Sequence, residues 1–261
     1  MVAPSRFGYL GSSFADDASP LHQADLLVEL LDHLRIDRMA AVGGSAGALS
    51  AAEFALRHSD RCSDLVLLVP AANLTNRDPV EFTRLQGMAV DVVLGSNFWF
   101  WALASLAPGQ MVRTLLATDP ALMKHVAADE KRRAELILDG LMPVGRKTNG
   151  LRTDAFWAGK PSPTAYEDIA VRTLILSCED DLFGTAATAR LLAERIRVPS
   201  LRSGPRAATY GWGTTQTWPR RSPASSGRQF GKATPNHRDV ARCCPAYSGP
   251  LLPVRFRLEI Q

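Results

Sequence analysis

A short glycine-rich segment holds one serine in a pattern suited to nucleophilic chemistry. The segment runs Gly43-Gly44-Ser45-Ala46-Gly47 and matches the pattern G-x-S-x-G. In this pattern the serine occupies a strained turn between a strand and a helix. Its neighbours must be small because other backbone passes close by. The Ala46 amide would lie at a helix N-terminus, where partial positive charge can stabilise an oxyanion. The alternative interpretation is an ordinary glycine-rich turn.

The elements around this motif follow the order expected of a parallel α/β sheet. Ser19 followed by Pro20 predicts a helix start, and leucines at three- and four-residue spacing continue that helix. Residues 39–42 predict a strand before the motif, residues 48–58 a helix after it, and residues 65–69 a second strand. The fold class is therefore α/β, with a mostly parallel sheet and helices on both faces.

The second half of the chain divides into three parts. Residues 71–166 contain clustered aromatics and helical patterns broken by prolines, which predicts a helical lid inserted into the sheet. A strand pattern resumes at residues 172–177 and a helix at residues 186–196. The predicted core consists of residues 1–70 and 167–196. Residues 71–166 form the predicted lid between these two parts, and residues 197–261 form the predicted tail.

The tail differs in composition from the rest of the chain. Residues 197–261 carry eleven basic and two acidic side chains, so the formal charge of +4 arises there. They also hold eight of the seventeen prolines and no apolar period, which predicts an irregular basic tail. Basic residues interleaved with aromatics are also typical of single-stranded nucleic-acid binding. No nucleic-acid-binding motif accompanies them, so no nucleic-acid partner is expected.

The compartment is indicated by cysteine usage and apolar runs. Cys62 and Cys178 stand alone, outside any metal-ligand spacing, which favours a reducing cytosol. No signal peptide is visible at the N-terminus. The longest apolar run, residues 92–107, falls short of the roughly 20 residues that span a bilayer. The sequence predicts a cytoplasmic protein with no membrane partner, no cofactor and no metal.

Several segments together resemble the α/β-hydrolase superfamily, particularly its small cytosolic members with a helical lid. They are residues 3–9, the glycine-serine motif with its following helix and strand, and residues 174–185. The resemblance covers roughly residues 2–196. It implies that Ser45 is the nucleophile and that the Ala46 amide forms half of the oxyanion hole. It also implies a triad acid just after the strand that follows the lid.

Two carboxylates compete for the role of the acid. Asp180 and Asp181 both follow the strand at residues 172–177. The family pattern has a small residue with the acid three positions later, which maps Cys178 to Asp181 and favours Asp181 over Asp180. The alternative is an exposed acidic turn that caps the helix from Thr185.

A serine rather than an aspartate at the motif implies acyl transfer to water. The expected substrates are small apolar molecules with an ester, thioester, amide, lactone or diketone-like carbon–carbon bond. The aromatics at residues 98–101 would suit an apolar acyl pocket, or else pack the lid against the core.

Parts of the family's machinery are not found in the sequence. The chain opens after the family's first strands, so an N-terminal truncation is expected, with loss of the loop that donates the second oxyanion amide. No histidine stands between His125 and His237, where the catalytic base is due. The earlier histidines, His22, His33 and His58, fall in predicted helices, and His237 is a weak candidate.

A change of reading frame after Ile196 would account for the missing base. If each true codon joins the third base of one written codon to the first two of the next, residues 206–216 can encode Gly-Gly-His-Val-Trp-Val-Gly-His-Asp-Ala. The first histidine then straddles Ala208 and Thr209. Trp212-Gly213 forces a glycine, and Tyr210-Gly211 permits only Trp or Arg. The sequence therefore predicts a hydrolase by ancestry with impaired activity; the alternative is a non-catalytic ligand-binding pseudoenzyme or a gene remnant.

Overall fold

Four parallel strands form the sheet at the centre of the computed structural model, which describes residues 1–74 and 84–204. In spatial order these are β1, Met39–Gly44; β2, Cys62–Leu68; β3, Arg172–Cys178; and β4, Pro199–Gly204. Gly44 pairs with Leu68, which pairs with Leu176, so the first three strands end at the same edge. The prediction of an α/β fold with a parallel sheet is confirmed.

Helices join the strands through crossovers. Helix α1 spans Pro20–His33 and precedes β1, α2 spans Gly47–Arg57 between β1 and β2, and α8 spans Thr185–Arg195 between β3 and β4. The predicted start of α1 is confirmed, because the Ser19 Oγ accepts a hydrogen bond from the His22 N–H at 3.1 Å and Pro20 is the first helical residue. At that position the missing proline N–H costs nothing.

The described helices α1, α2 and α8 cover one face of the sheet. Leu65, Leu67 and Ile175 are fully buried on that face. The strands follow one another in a single direction across the sheet, and right-handed crossovers then place successive helices on the same side. Val42 points to the other face and is 63% exposed. The sequence predicts helices on both faces of the sheet, but none of the described helices packs on this second face.

A helical segment lies between β2 and β3. Its helices are α3, Arg84–Gly95; α4, Asn97–Leu106; α5, Pro108–Leu115; α6, Ala128–Gly140; and α7, Thr148–Gly159. The segment has a small core of its own around Phe100, Met111 and Val144. The last residue of α7 contacts the loop after β2, because the Asn73 Nδ2 donates to the Gly159 carbonyl at 2.9 Å.

Strand β4 corrects part of the sequence analysis, which expects irregular structure from residue 197 onwards. Pro199–Gly204 instead pairs with Thr173–Cys178 along the edge of β3. The pairing uses main-chain groups, so it needs no apolar period in the sequence. The rest of the tail, including His237, lies outside the described residues.

Candidate functional site

The turn between β1 and α2 holds Ser45 in a strained conformation. Its φ of 50° lies in the left-handed region, which a non-glycine residue seldom adopts. The turn is fixed from both sides, because the Ser45 N–H donates to the Leu68 carbonyl at 2.9 Å and its carbonyl accepts from the Ala71 N–H at 3.2 Å. The half-buried Ser45 hydroxyl makes no hydrogen bond to any described residue. The main chain at Ser45 is therefore fixed, and the side-chain hydroxyl is unused.

Gly43 allows α2 to approach the strand closely. A Cβ at Gly43 would lie 2.5 Å from the Gly47 carbonyl oxygen and 2.7 Å from the Ala48 Cα. Both are backbone atoms, which cannot move aside independently. At Gly44, by contrast, a Cβ would meet nothing within 4 Å. The first glycine of the motif is thus required by packing, which a pattern match alone does not show.

The N-terminus of α2 presents unused backbone donors beside Ser45. The Ala46 and Gly47 N–H groups donate to no acceptor within the described ranges, and no side chain caps this helix. Free amides at the first turn carry the positive end of the helix dipole. This turn can therefore stabilise an oxygen that becomes negatively charged next to Ser45.

Asp181 is 6% exposed and has a fixed carboxylate orientation. Its Oδ1 accepts from the Phe183 N–H at 2.7 Å, and its Oδ2 accepts from the Thr185 Oγ1 at 2.7 Å. Thr185 also contacts the Ser177 hydroxyl at 3.0 Å. The carboxylate thus bonds the first turn of α8, as the capping alternative expects, but it is buried rather than exposed. Asp180 is half-buried.

Ser45 and Asp181 lie beyond the same edge of the sheet, on strands separated by β2. Two strand spacings correspond to roughly 10 Å across the sheet, a gap that a histidine side chain could bridge. Gly204, the last residue of β4, pairs with Cys178 three positions before Asp181. The stretch after Gly204, with Ala208 and Thr209, is outside the described residues.

The described histidines occupy other places. His58 follows α2 and its Nε2 lies 2.8 Å from the Asp25 Oδ1. His22 stacks on Phe7 with ring centroids 5.5 Å apart. His33 and His125 are exposed.

A pocket that the sequence analysis did not predict lies on the α1 side of the Ser45 turn. Its enclosed space is about 20 Å³, its mouth is open to solvent, and it is lined by Arg6, Gln23, Ala46, Ser50 and Trp157 among others. Arg6 belongs to the segment that carries the family resemblance, but its contact with α7 depends on tertiary structure. No cluster of potential metal ligands occurs within residues 1–74 and 84–204.

The predicted aromatic cluster at residues 98–101 divides between two environments. Phe100 is buried in the small core of the helical segment, whereas Phe98, Trp99 and Trp101 are exposed. None of the four lines the pocket beside Ala46. None of the helices in the described ranges is long and apolar enough to cross a membrane.

Comparisons with solved structures agree on the fold. An enol-lactonase from Burkholderia xenovorans LB400 superposes with a TM-score of 0.55 at 21% identity, covering 78% of this chain and 72% of that chain. An α/β hydrolase fold protein from Nakamurella multipartita superposes with a TM-score of 0.52 at 20% identity, covering 76% and 71%. The sheet and helices described above therefore form the α/β-hydrolase fold.

Comparisons of sequence identify the family. Homoserine O-acetyltransferase from Thermus thermophilus is 37% identical over 67 residues, which are 24% of this chain and 18% of that protein. The match thus spans less than a fifth of the curated relative. A model of the serine aminopeptidase S33 family matches residues 19–202, a range that includes Ser45 and Asp181. The chain belongs to this family of the α/β-hydrolase superfamily.

Proposed function

We propose that the edge of the sheet at Ser45 is a site for acyl transfer to water. The Ser45 hydroxyl attacks a carbonyl carbon, and the bond from that carbon to the leaving group breaks as the leaving group takes up the serine proton, which forms an acyl-enzyme. Water then attacks the acyl-enzyme, releases the acid and restores the serine hydroxyl. The observation that carries this proposal is the conformation of the turn, with a φ of 50° at Ser45 and unused N–H groups at Ala46 and Gly47. The Ala46 N–H donates to the oxyanion of the tetrahedral intermediate, and the α2 N-terminus adds to that stabilisation.

Asp181 is the acid that orients the catalytic histidine in this proposal. Hydrogen bonds from the Phe183 N–H and the Thr185 hydroxyl help to hold the carboxylate in one orientation. A carboxylate held in this way can keep an imidazole in one tautomer and stabilise the imidazolium. The substrates are those expected from the nucleophile: small molecules with an ester, thioester, amide, lactone or carbon–carbon bond next to a carbonyl.

Hydrolysis by the chain as written is expected to be severely reduced, because no histidine stands where the base is due. General-base catalysis contributes about 10²–10⁴ to rate. A frame restored after Ile196 places a histidine at Ala208 and Thr209, a few residues beyond Gly204.

The proposal is tested with two versions of the gene, one as written and one with a single base inserted after the Ile196 codon. Both proteins are purified, incubated with a fluorophosphonate and assayed with p-nitrophenyl butyrate. We expect rapid labelling and turnover only in the base-inserted protein, with the label on Ser45. Ser45→Ala should abolish both signals, whereas the exposed Ser13→Ala should leave them unchanged. A folded base-inserted protein that is not labelled at Ser45 would refute the proposal.

A non-catalytic ligand-binding protein is the second candidate. It is favoured by the missing base together with an intact Ser45 turn. Saturable binding of an acyl compound by the chain as written, with no turnover by either version, would support this candidate instead. A third outcome concerns the molecule that accepts the acyl group from Ser45. If an added alcohol accepts it faster than water does, the site is that of an acyltransferase, the activity named for the Thermus thermophilus relative.

A further inference from the structure

The pocket beside Ala46 contains hydrogen-bond donors that the fold leaves unused. It lies between the first turns of α1 and α2 and one side of α7, with Phe7, Leu49 and Trp157 as apolar walls. Its enclosed space is about 20 Å³, roughly the room that one or two water molecules take, and its mouth is open to solvent. Only a group as small as a single carboxylate can therefore enter it, with the rest of a ligand in the mouth.

Gln23 supplies the first unused donor. The residue is 9% exposed, and its Oε1 accepts a hydrogen bond from the Phe7 N–H at 3.1 Å. Because a backbone N–H can pair only with the amide oxygen, this bond defines which end is Nε2. Nε2 donates to no acceptor within the described part of the chain. The amide group is thus fixed at its oxygen and open at its nitrogen.

Ser50 supplies the second, one helical turn after Ala46 on α2. It is 6% exposed, lines the same pocket, and its hydroxyl forms no hydrogen bond to a described residue. Among the described residues, no fully enclosed side-chain nitrogen or oxygen lacks a partner. The Gln23 Nε2 and the Ser50 Oγ therefore reach the open space of the pocket.

The charges around the pocket favour an anionic group. The N-termini of α1 and α2 both face it, and each contributes the positive end of a helix dipole. The Arg6 guanidinium at the wall is already bound to Asp154, so this pair adds no net charge. The Gln23 Nε2 is an unused donor, and the Ser50 hydroxyl can also donate. A carboxylate, which only accepts hydrogen bonds, matches such a set.

We infer that this pocket binds a carboxylate of the substrate, next to the carbonyl that Ser45 attacks. The Gln23 Nε2 and the Ser50 Oγ donate to its oxygens, and the apolar walls hold the short chain that connects it to the reacting carbonyl. The role as a substrate site rests on the proposed function. The binding step itself requires no catalytic base, so the chain as written can test it.

The experiment is a titration of the full chain with isobutyrate, followed through the indole N–H signal of Trp157. Trp157 lines the pocket, and Trp157→Phe assigns its signal. We expect a saturable shift with isobutyrate and weaker binding of the uncharged isobutyramide. Gln23→Glu keeps an oxygen for the Phe7 N–H but replaces the donor with a second carboxylate oxygen. It should weaken isobutyrate binding by at least about tenfold.

The matched control is Gln110→Glu, the same change at an exposed position of α5, which should leave the affinity unchanged. Ser50→Ala, a favourable helix substitution, should weaken binding several-fold and decides the test if Gln23→Glu does not fold. The inference is overturned if isobutyrate does not shift the Trp157 signal, if isobutyramide binds equally well, or if a folded Gln23→Glu protein retains full affinity.

Failure of the pocket and failure of the proposed function are distinguishable. Isobutyrate binding that persists in Ser45→Ala, without fluorophosphonate labelling of the base-inserted protein, would retain the carboxylate pocket and reject the acyl-transfer site. Labelling of Ser45 without isobutyrate binding would retain the acyl-transfer site and reject the pocket.

Discussion

Arg6 binds Asp154 through two parallel hydrogen bonds, from Nη1 to Oδ1 at 2.6 Å and from Nη2 to Oδ2 at 2.5 Å. The Tyr9 hydroxyl donates to the same Oδ2 at 2.5 Å. These bonds join the loop before α1 to helix α7, so one carboxylate connects the sheet region to the helical segment. They also form one wall of the pocket beside Ala46.

Asp154→Asn should lower the free energy of unfolding by about 1–3 kcal/mol, because it weakens three hydrogen bonds of a partly buried carboxylate. Urea denaturation measures the change. The control is Asp91→Asn, which removes the carboxylate of a solvent-exposed ion pair between α3 and Arg152 of α7. That change should cost less than about 1 kcal/mol. Equal effects of the two substitutions would contradict a structural role of the Arg6 bonds.

The two glycines before Ser45 should respond in opposite ways to alanine. Gly43→Ala brings a Cβ within 2.7 Å of two backbone atoms of α2 and should destabilise the protein by about 1–3 kcal/mol or more. Gly44→Ala meets open space and should be neutral or slightly stabilising, since glycine in a strand costs conformational entropy. Thermal unfolding of both variants checks this, and similar melting temperatures would refute the close approach of α2 to β1.

Substitution of the two aspartates separates the candidates for the acid. In the base-inserted protein, Asp181→Asn should lower kcat by about 10³–10⁴, because the histidine loses the group that fixes its tautomer. Asp180→Asn should change kcat by less than about tenfold. Steady-state kinetics with p-nitrophenyl butyrate provide the measurement, with urea denaturation to detect loss of the bonds from Phe183 and Thr185. A larger effect at Asp180 would reverse the assignment.

The thiol of Cys178 should make stability depend on alkaline pH. Burial, followed by the negative charges of Asp180, Asp181 and Glu179, raises its pKa from the ordinary 9.0 to about 11. Between these values the unfolded chain loses the proton while the folded chain keeps it, so the free energy of unfolding falls as pH rises. The slope is up to about 1.4 kcal/mol per pH unit.

Cys178→Ala removes this titration and should reduce the slope of unfolding free energy against pH between about 9 and 11. Urea denaturation at several pH values measures the slope. Loss of packing in Cys178→Ala lowers the free energy of unfolding by the same amount at every pH and so does not change the slope. Other titrating groups contribute equally to the slopes of both proteins. An unchanged slope in Cys178→Ala would show that this thiol does not couple to folding.

The local signals in the sequence were informative because short-range physics decides them. Ser19 and Pro20 begin α1 as predicted, since capping depends on neighbouring residues. The strand, turn and helix predicted around Ser45 are also present. β4 could not be predicted, because its sequence has no apolar period and its pairing depends on the edge of β3. The role of Gln23 in the pocket could not be predicted either, because in the sequence it resembles any polar residue on a helix.

The sequence by itself determined the α/β class, the glycine-serine turn and its family, because these depend on the order of residues along the chain. Only the tertiary structure decided which groups meet. It joined Arg6 to Asp154, and it brought Gln23 of α1 and Ser50 of α2 to the lining of one pocket. These contacts link residues or elements that packing, rather than chain order, brings together, and a motif carries no information about such packing.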